Sequence, residues 1–195
     1  MLSILSLGSG SSGNSAVVYS DKTTILVDAG LSAMQLKKRI IQGGLDPQKL
    51  DAILITHEHS DHTKGLEVLS KSISVPVYCN SLTQEVLMEA NRSVNSWQLF
   101  ENGQQFEIGD LEVCGFSVMH DAVDPVGFKF KKNDKKIGFI SDVGHVNQLL
   151  IDSVKDVHCL FVEANYDETL LQGDNKRPWS LKQRVASRHG HLSNK

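Results

Sequence analysis

The stretch Thr56-His57-Glu58-His59-Ser60-Asp61-His62 places three histidines and two acids within six positions. It follows an apolar run at residues 52–55, which predicts a buried strand. Imidazole and carboxylate are the ligands that Zn²⁺, Mn²⁺ and Fe²⁺ prefer, and a turn after a strand lets alternating side chains converge on one point. The first two histidines would share one face, whereas the Asp-His pair that ends the stretch would reach a second point nearby. This spacing predicts a two-metal site.

Single ligands of the same type stand at the ends of other predicted strands. His120 and Asp142 each follow an apolar run, and beside the histidine cluster we expect both to be metal ligands. Asp28 has a similar position, but we favour a supporting role in which its carboxylate orients a ligand histidine. We interpret His145, in a turn, and His158, inside an apolar run, as structural, and His189 stays undecided.

Length and composition indicate one globular domain. The chain has 195 residues, of which 40% are hydrophobic, and no apolar run approaches the ~18 residues of a membrane span. The net charge of -3 argues against a surface that is basic throughout, although the segment after residue 174 carries basic charges only.

Three widely spaced cysteines favour reduced thiols. Because no basic region precedes the short N-terminal apolar run, we expect a cytoplasmic protein.

Apolar runs bounded by Gly, Asp and Pro alternate with amphipathic patterns, which predicts a mixed α/β layout without internal repeats. Ser81 is expected to cap the third helix. The last strand-like run ends at Val162, and only a weak helical pattern at residues 180–186 follows it.

Two further segments are candidates for contact with a phosphate. In the Gly/Ser loop at residues 9–14, Ser11 and Asn14 either accompany backbone N–H groups that bind a phosphate or pack beneath the site. The loop lacks the lysine of a nucleotide P-loop, so an NTPase is disfavoured. Arg177 and Lys182 belong to a basic segment at residues 176–188 that would position a phosphate backbone.

Together, the HxHxDH motif at residues 57–62, the strand-end His120 and Asp142, and the early Asp28-Ala-Gly resemble the metallo-β-lactamase fold superfamily. This resemblance implies an αββα sandwich with a dinuclear metal site at the edge of its two sheets. Within the superfamily the chain is similar to the bacterial YycJ/WalJ family, which is related to ribonuclease Z and associated with 5′ to 3′ exonuclease activity on DNA. The similar segments are residues 8–15, 120–128, 141–144, 163–167, 178–184 and 190–194.

The resemblance also implies a role for each site residue. His191 would be the general acid and, with Asp61, a catalytic residue. The family has a further ligand histidine on a later strand, so we expect residues 1–195 to be a single domain that lacks the last strand and helix of the family. His189 or His191 would be candidates to replace it, although the family pattern implies neither. The first metal would be held by His57, His59 and His120, the second by Asp61 and His62, and Asp142 would bridge them.

These expectations lead to one preferred function and two alternatives. Two divalent ions, Zn²⁺ or Mn²⁺ with Fe²⁺ left open, would generate a bridging hydroxide that cleaves phosphodiester bonds of DNA. The alternatives are hydrolysis of another ester, such as a thioester or lactone, and an inactive metal-binding fragment. Because an incomplete sandwich would leave one sheet face uncovered, we also expect self-association or a longer native chain.

Overall fold

A computed structural model describes residues 1–90 and 92–195, and its strands form two sheets. In the first sheet the three N-terminal strands are antiparallel, and the third to sixth strands run parallel. Its six strands lie in chain order: β1 Leu2–Gly8, β2 Ser15–Ser20, β3 Thr24–Val27, β4 Ala52–Leu54, β5 Val77–Cys79 and β6 Trp97–Leu99.

The second sheet has five strands in reversed chain order. Its first four strands pair antiparallel, and the last strand pairs parallel with its neighbour and lies at the edge. The strands are β7 Gln105–Ile108, β8 Leu111–Ser117, β9 Val126–Lys132, β10 Lys135–Ile140 and β11 Cys159–Val162.

Short helices fill the connections between strands, together with one 3₁₀ turn at Pro47–Lys49. The α-helices are α1 Ala33–Gln42, α2 Ser60–Thr63, α3 Leu66–Ile73, α4 Ser81–Glu89, α5 Gln148–Val154, α6 Glu168–Gly173 and α7 Trp179–Val185. Two of them, α4 and α5, begin at asparagine caps. Within the described ranges, none of these helices has the length and apolar character needed to cross a membrane.

Alternating side chains of the first sheet enter two different cores, as the period of two in a strand requires. On β2, Val17 belongs to the core beneath the helices, whereas Val18 points into the core between the sheets. Phe128 and Phe130 of β9 fill that inner core from the second sheet. The result is the predicted mixed α/β architecture of two stacked sheets with helices on the outside.

The outer face of the second sheet is only partly covered. Helix α5 packs Leu150 against Phe116 and Ile140. Beside it, Leu160 and Val162 of β11 remain 44% and 47% exposed along an apolar groove. Self-association through this face stays a prediction.

One local expectation was wrong, and two strands were missed. Asn80, not Ser81, caps α4, because its side-chain oxygen accepts the Thr83 N–H at 2.9 Å. Strands β6 and β7 were not predicted, because each is short and mixes polar with apolar residues, so that neighbouring strands rather than their own sequence define them.

Candidate metal centre

The predicted ligands meet at one edge of the sandwich, where strands of both sheets end. His57 and His59 lie in the turn after β4, and α2 follows directly with Asp61 and His62. His120 and Asp142 come from the second sheet, a few residues after β8 and β10. The site therefore lies between the two sheets and draws residues from both.

The first group comprises His57, His59, His120 and Asp142, whose nearest donor atoms all lie within 4.8 Å of one another. His57 Nε2 is 3.1 Å from His59 Nδ1 and 3.4 Å from Asp142 Oδ2. Two nitrogen ligands on one tetrahedral Zn²⁺ are about 3.3 Å apart when each bond is 2.0–2.1 Å. The spacing of these donors therefore fits a single ion.

The second group comprises Asp61, His62 and Asp142. Asp142 Oδ2 lies 3.1 Å from His62 Nε2 and 3.4 Å from His120 Nε2, so one carboxylate oxygen faces both groups. Buried polar atoms normally have a partner, yet His120 Nε2 and Asp142 Oδ1 have no hydrogen bond among the described residues. Unpartnered donor atoms that converge in this way fit divalent metal binding.

A buried carboxylate orients His62. Asp28 Oδ2 lies 2.8 Å from His62 Nδ1 and accepts a hydrogen bond from Thr56 Oγ1 at 2.9 Å. In the neutral ring, a proton on Nδ1 of His62 leaves Nε2 as an acceptor that faces the cluster. Thr56 Oγ1 also lies 2.9 Å from His57 Nδ1, so one network orients two histidines.

A backbone carbonyl orients His120. Its Nδ1 lies 2.9 Å from the Gly190 oxygen, which leaves Nε2 directed at Asp142. Gly190 precedes His191, and both line the same cavity, so the C-terminal segment contributes to the site.

Burial and charge give the histidines different pKa values. Burial lowers the pKa of His57, and it lowers the pKa of His120 to about 4, so both rings are neutral near pH 7. Burial also lowers the pKa of His62, but Asp28 and Asp142 outweigh this effect and raise its pKa to about 10. Asp142 has the opposite balance: burial raises its pKa, and the facing His57 and His62 bring it well below the usual range.

The Gly/Ser loop packs beneath the cluster. Asn14 is buried, and its Nδ2 lies 3.1 Å from Asp61 Oδ2 and 3.0 Å from His62 Nε2. Its Oδ1 accepts the Gly10 N–H at 2.7 Å. The exposed Ser11 does not line the pocket. Of the two alternatives for this loop, the geometry favours packing beneath the ligands.

A third cluster of possible metal ligands contains Glu163, which was not predicted as a site residue from the sequence. Glu163, one residue after β11, forms a cluster with His191 and Asp142. His191 Nδ1 lies 3.5 Å from Glu163 Oε2 and 3.7 Å from Asp142 Oδ1. Burial lowers the pKa of His191, but these carboxylates outweigh it, so that the pKa is raised. Two sequence signals pointed to Glu163: its position directly after a predicted strand and its place in the family-like segment at residues 163–167.

A cavity of about 180 Å³ opens over the cluster. Neither Arg177 nor Lys182, the two cations predicted to contact a phosphate, lines this cavity. Lys182 is buried and its Nζ donates to the Gln172 carbonyl at 2.9 Å. Arg177 pairs with Asp174 and lies beside a different groove. Lys182 lies on α7 and points into the protein, whereas Arg177 precedes that helix, so phosphate contact by these two cations stays a prediction.

Three other histidines, His145, His158 and His189, lie outside the three clusters that the described residues form. His158 is exposed, and its Nδ1 accepts the Lys136 N–H at 3.2 Å.

Comparison with known proteins agrees with this fold and site. Residues 23–195 match the family model described as "Beta-lactamase superfamily domain". The chain is 39% identical over 192 residues to exodeoxyribonuclease WalJ of Streptococcus pneumoniae serotype 2 (strain D39 / NCTC 7466), covering 96% of this chain and 71% of the relative. It is 37% identical over 190 residues to exodeoxyribonuclease YycJ of Bacillus anthracis, covering 96% and 72%.

Among solved structures, Zn²⁺-bound PqqB from Methylobacterium extorquens superimposes with a TM-score of 0.78 at 18% identity, covering 100% of this chain and 80% of that one. At this identity the likeness concerns the fold alone. The chain belongs to the metallo-β-lactamase superfamily, and the resemblance stated from its motifs is confirmed. Its His/Asp cluster accordingly indicates a divalent-metal hydrolase.

Proposed function

We propose that this chain is a metal-dependent phosphodiesterase that degrades DNA as an exonuclease. The observation that carries the proposal is the pair of ligand groups that share Asp142 at the floor of an open cavity. Similarity to two proteins named exodeoxyribonucleases, each over 96% of this chain, supports DNA as the substrate.

Two divalent ions, Zn²⁺ or Mn²⁺, fit the donor set. His57, His59 and His120 would hold the first, Asp61 and His62 the second, and Asp142 would belong to both. When bound, such ions lower the pKa of a water molecule and neutralise charge on phosphoryl oxygens.

The residues around the ions have separate tasks in this proposal. Asp28 and the Gly190 carbonyl hold His62 and His120 with Nε2 toward the metals. His191 lies at the cavity wall and would give its proton to the leaving oxygen, while Glu163 keeps the ring oriented and favours its protonated form.

The experiment compares linear DNA with closed circular DNA of the same sequence, using protein loaded with Mn²⁺ or Zn²⁺. We expect mononucleotides or short products from the linear substrate and no nicking of the circle. Nicked circles would indicate an endonuclease, and cleavage of a thioester in preference to DNA would favour a different hydrolase.

His59→Ala tests the metal site in the same assay. The variant removes a ligand, so we expect a loss of activity greater than the ~100-fold that changes around metal ligands produce, together with loss of bound metal. His158→Ala is the matched control, because it removes an exposed histidine outside the clusters. Substantial residual activity in His59→Ala would exclude the assigned centre.

A further inference from the structure

The cavity is lined by two unlike sets of side chains. Metal-ligand candidates line it, and so do Leu181, Arg184 and Val185 of helix α7. Among the described residues that line the cavity, Arg184 is the single lysine or arginine. A polyanionic strand that enters this cavity would therefore meet one guanidinium beside the metal centre.

The position of Arg184 is defined by a contact with the residue after a ligand histidine. Its Nε donates to Asp121 Oδ2, and the other oxygen of that carboxylate, Oδ1, lies 3.2 Å from His120 Nε2. Asp121 thus joins the guanidinium to the metal cluster through one side chain. The contact between Arg184 and Asp121 therefore helps to hold the guanidinium near the metal cluster.

The rest of the guanidinium remains available to a ligand. The side chain is 59% exposed, and its Nη groups form no hydrogen bond within the described part of the chain. A guanidinium presents five donors in a planar fork, and two of them match adjacent oxygens of a phosphate. With Nε on Asp121, the two Nη groups remain as such a pair of donors on a residue that lines the cavity.

We propose that Arg184 binds a backbone phosphate of the DNA strand beside the metal centre, and that Asp121 is the positioning residue that holds the guanidinium there. This inference rests on the proposed function. It assigns substrate binding within the basic segment to Arg184, whereas Lys182 and Arg177 are engaged in contacts inside the protein.

The test measures binding rather than turnover. A fluorescein-labelled, phosphorothioate-linked single-stranded oligonucleotide, which resists hydrolysis, is titrated with the Mn²⁺-loaded full chain over a series of salt concentrations. The variants are Arg184→Ala, Arg184→Lys and Asp121→Asn. Arg188→Ala is the matched control, because it removes an equal charge from the same segment at an exposed position that does not line the cavity.

We expect Arg184→Ala to weaken binding on the order of tenfold and to lower the slope of log K against log salt by about 1. Arg184→Lys should recover part of the affinity, since it keeps the charge and loses the fork. Asp121→Asn should weaken binding less than Arg184→Ala. Metal content and thermal unfolding should match the wild type for the Arg184 variants.

Equal effects of Arg184→Ala and Arg188→Ala, or no effect of either, would overturn the proposal. So would a loss of metal in Arg184→Ala, since the side chain would then support the centre and not the substrate. Failure of the wild type to cleave DNA would refute the proposed exonuclease, and the binding comparison would still decide the role of Arg184.

Discussion

At the residue scale, Asp28 combines an unusual backbone conformation with a buried charge. Its φ of 61° lies in the left-handed region, which Asp and Asn tolerate better than most residues. Its carboxylate accepts the Thr56 N–H at 2.9 Å and holds His62. We predict that Asp28→Asn, which keeps size and backbone preference, lowers metal affinity by ~10–100-fold without unfolding the protein. Competition with a chromogenic chelator measures the affinity.

Asp51→Asn is the matched control for this substitution. Asp51 is exposed and accepts the Thr24 N–H at 2.7 Å, remote from the ligand set. We expect wild-type metal affinity from it. If Asp28→Asn bound metal as tightly as Asp51→Asn, the orienting role of Asp28 would be wrong.

At the residue scale again, the proton on His62 links metal binding to pH. Its raised pKa of about 10 gives the metal-free chain stability that is fully present below about pH 6.5 and lost as pH rises through 10. A metal requires the neutral ring, so binding must release this proton and affinity must increase with pH. Calorimetric titration with Zn²⁺ in buffers of different ionisation enthalpy measures the release. No dependence on the buffer would contradict the prediction.

At the element scale, the turn after β3 packs on the start of α2 so closely that only glycine fits. A Cβ on Gly30 would lie 1.7 Å from the Asp61 carbonyl oxygen and 2.6 Å from Asn14 N. The same contact includes a hydrogen bond of 2.8 Å from Asn14 N–H to that carbonyl. We predict that Gly30→Ala costs about 3 kcal/mol in the free energy of unfolding, because backbone atoms must move.

Urea unfolding of Gly30→Ala and Gly173→Ala measures this effect. A Cβ at Gly173 meets nothing within 4 Å among the described residues, so its replacement should stay within about 0.5 kcal/mol of the wild type. A Gly30→Ala protein as stable as Gly173→Ala would show that the close approach has no energetic consequence.

At the scale of the whole molecule, the ligands join two sheets. His57 follows a strand of the first sheet, whereas His120 and Asp142 follow strands of the second. A metal that binds only the folded chain stabilises it by about 2.7 kcal/mol when its concentration is 100 times the Kd. We therefore expect Zn²⁺ or Mn²⁺ to raise Tm and EDTA to reverse the shift, as scanning calorimetry would measure.

Asp142→Asn should abolish most of this metal-dependent shift, because its carboxylate belongs to both ligand groups. Asp152→Asn, at an exposed position on α5, should keep it. A metal-dependent shift of the same size in both variants would show that metal binds elsewhere.

Much of the fold and site was predictable because it rests on local patterns. The apolar runs predicted β3, β8 and β10, and the His-rich turn after β4 is contiguous in sequence. Strand-end positions, taken together with the histidine cluster, also selected His120 and Asp142. Glu163 also follows a predicted strand, but its role was not predicted, because it comes close to His191 only in the folded chain.

The sequence by itself determined the superfamily, the ligand types and the order in which they occur, since these depend on neighbouring residues and on strand ends. Only the tertiary structure decided which cation faces the cavity. Lys182 and Arg184 are two residues apart on α7, and the rotation of the helix buries the first while it directs the second to Asp121. The physical reason is that helix packing, and not composition, sets the direction in which each charged side chain points.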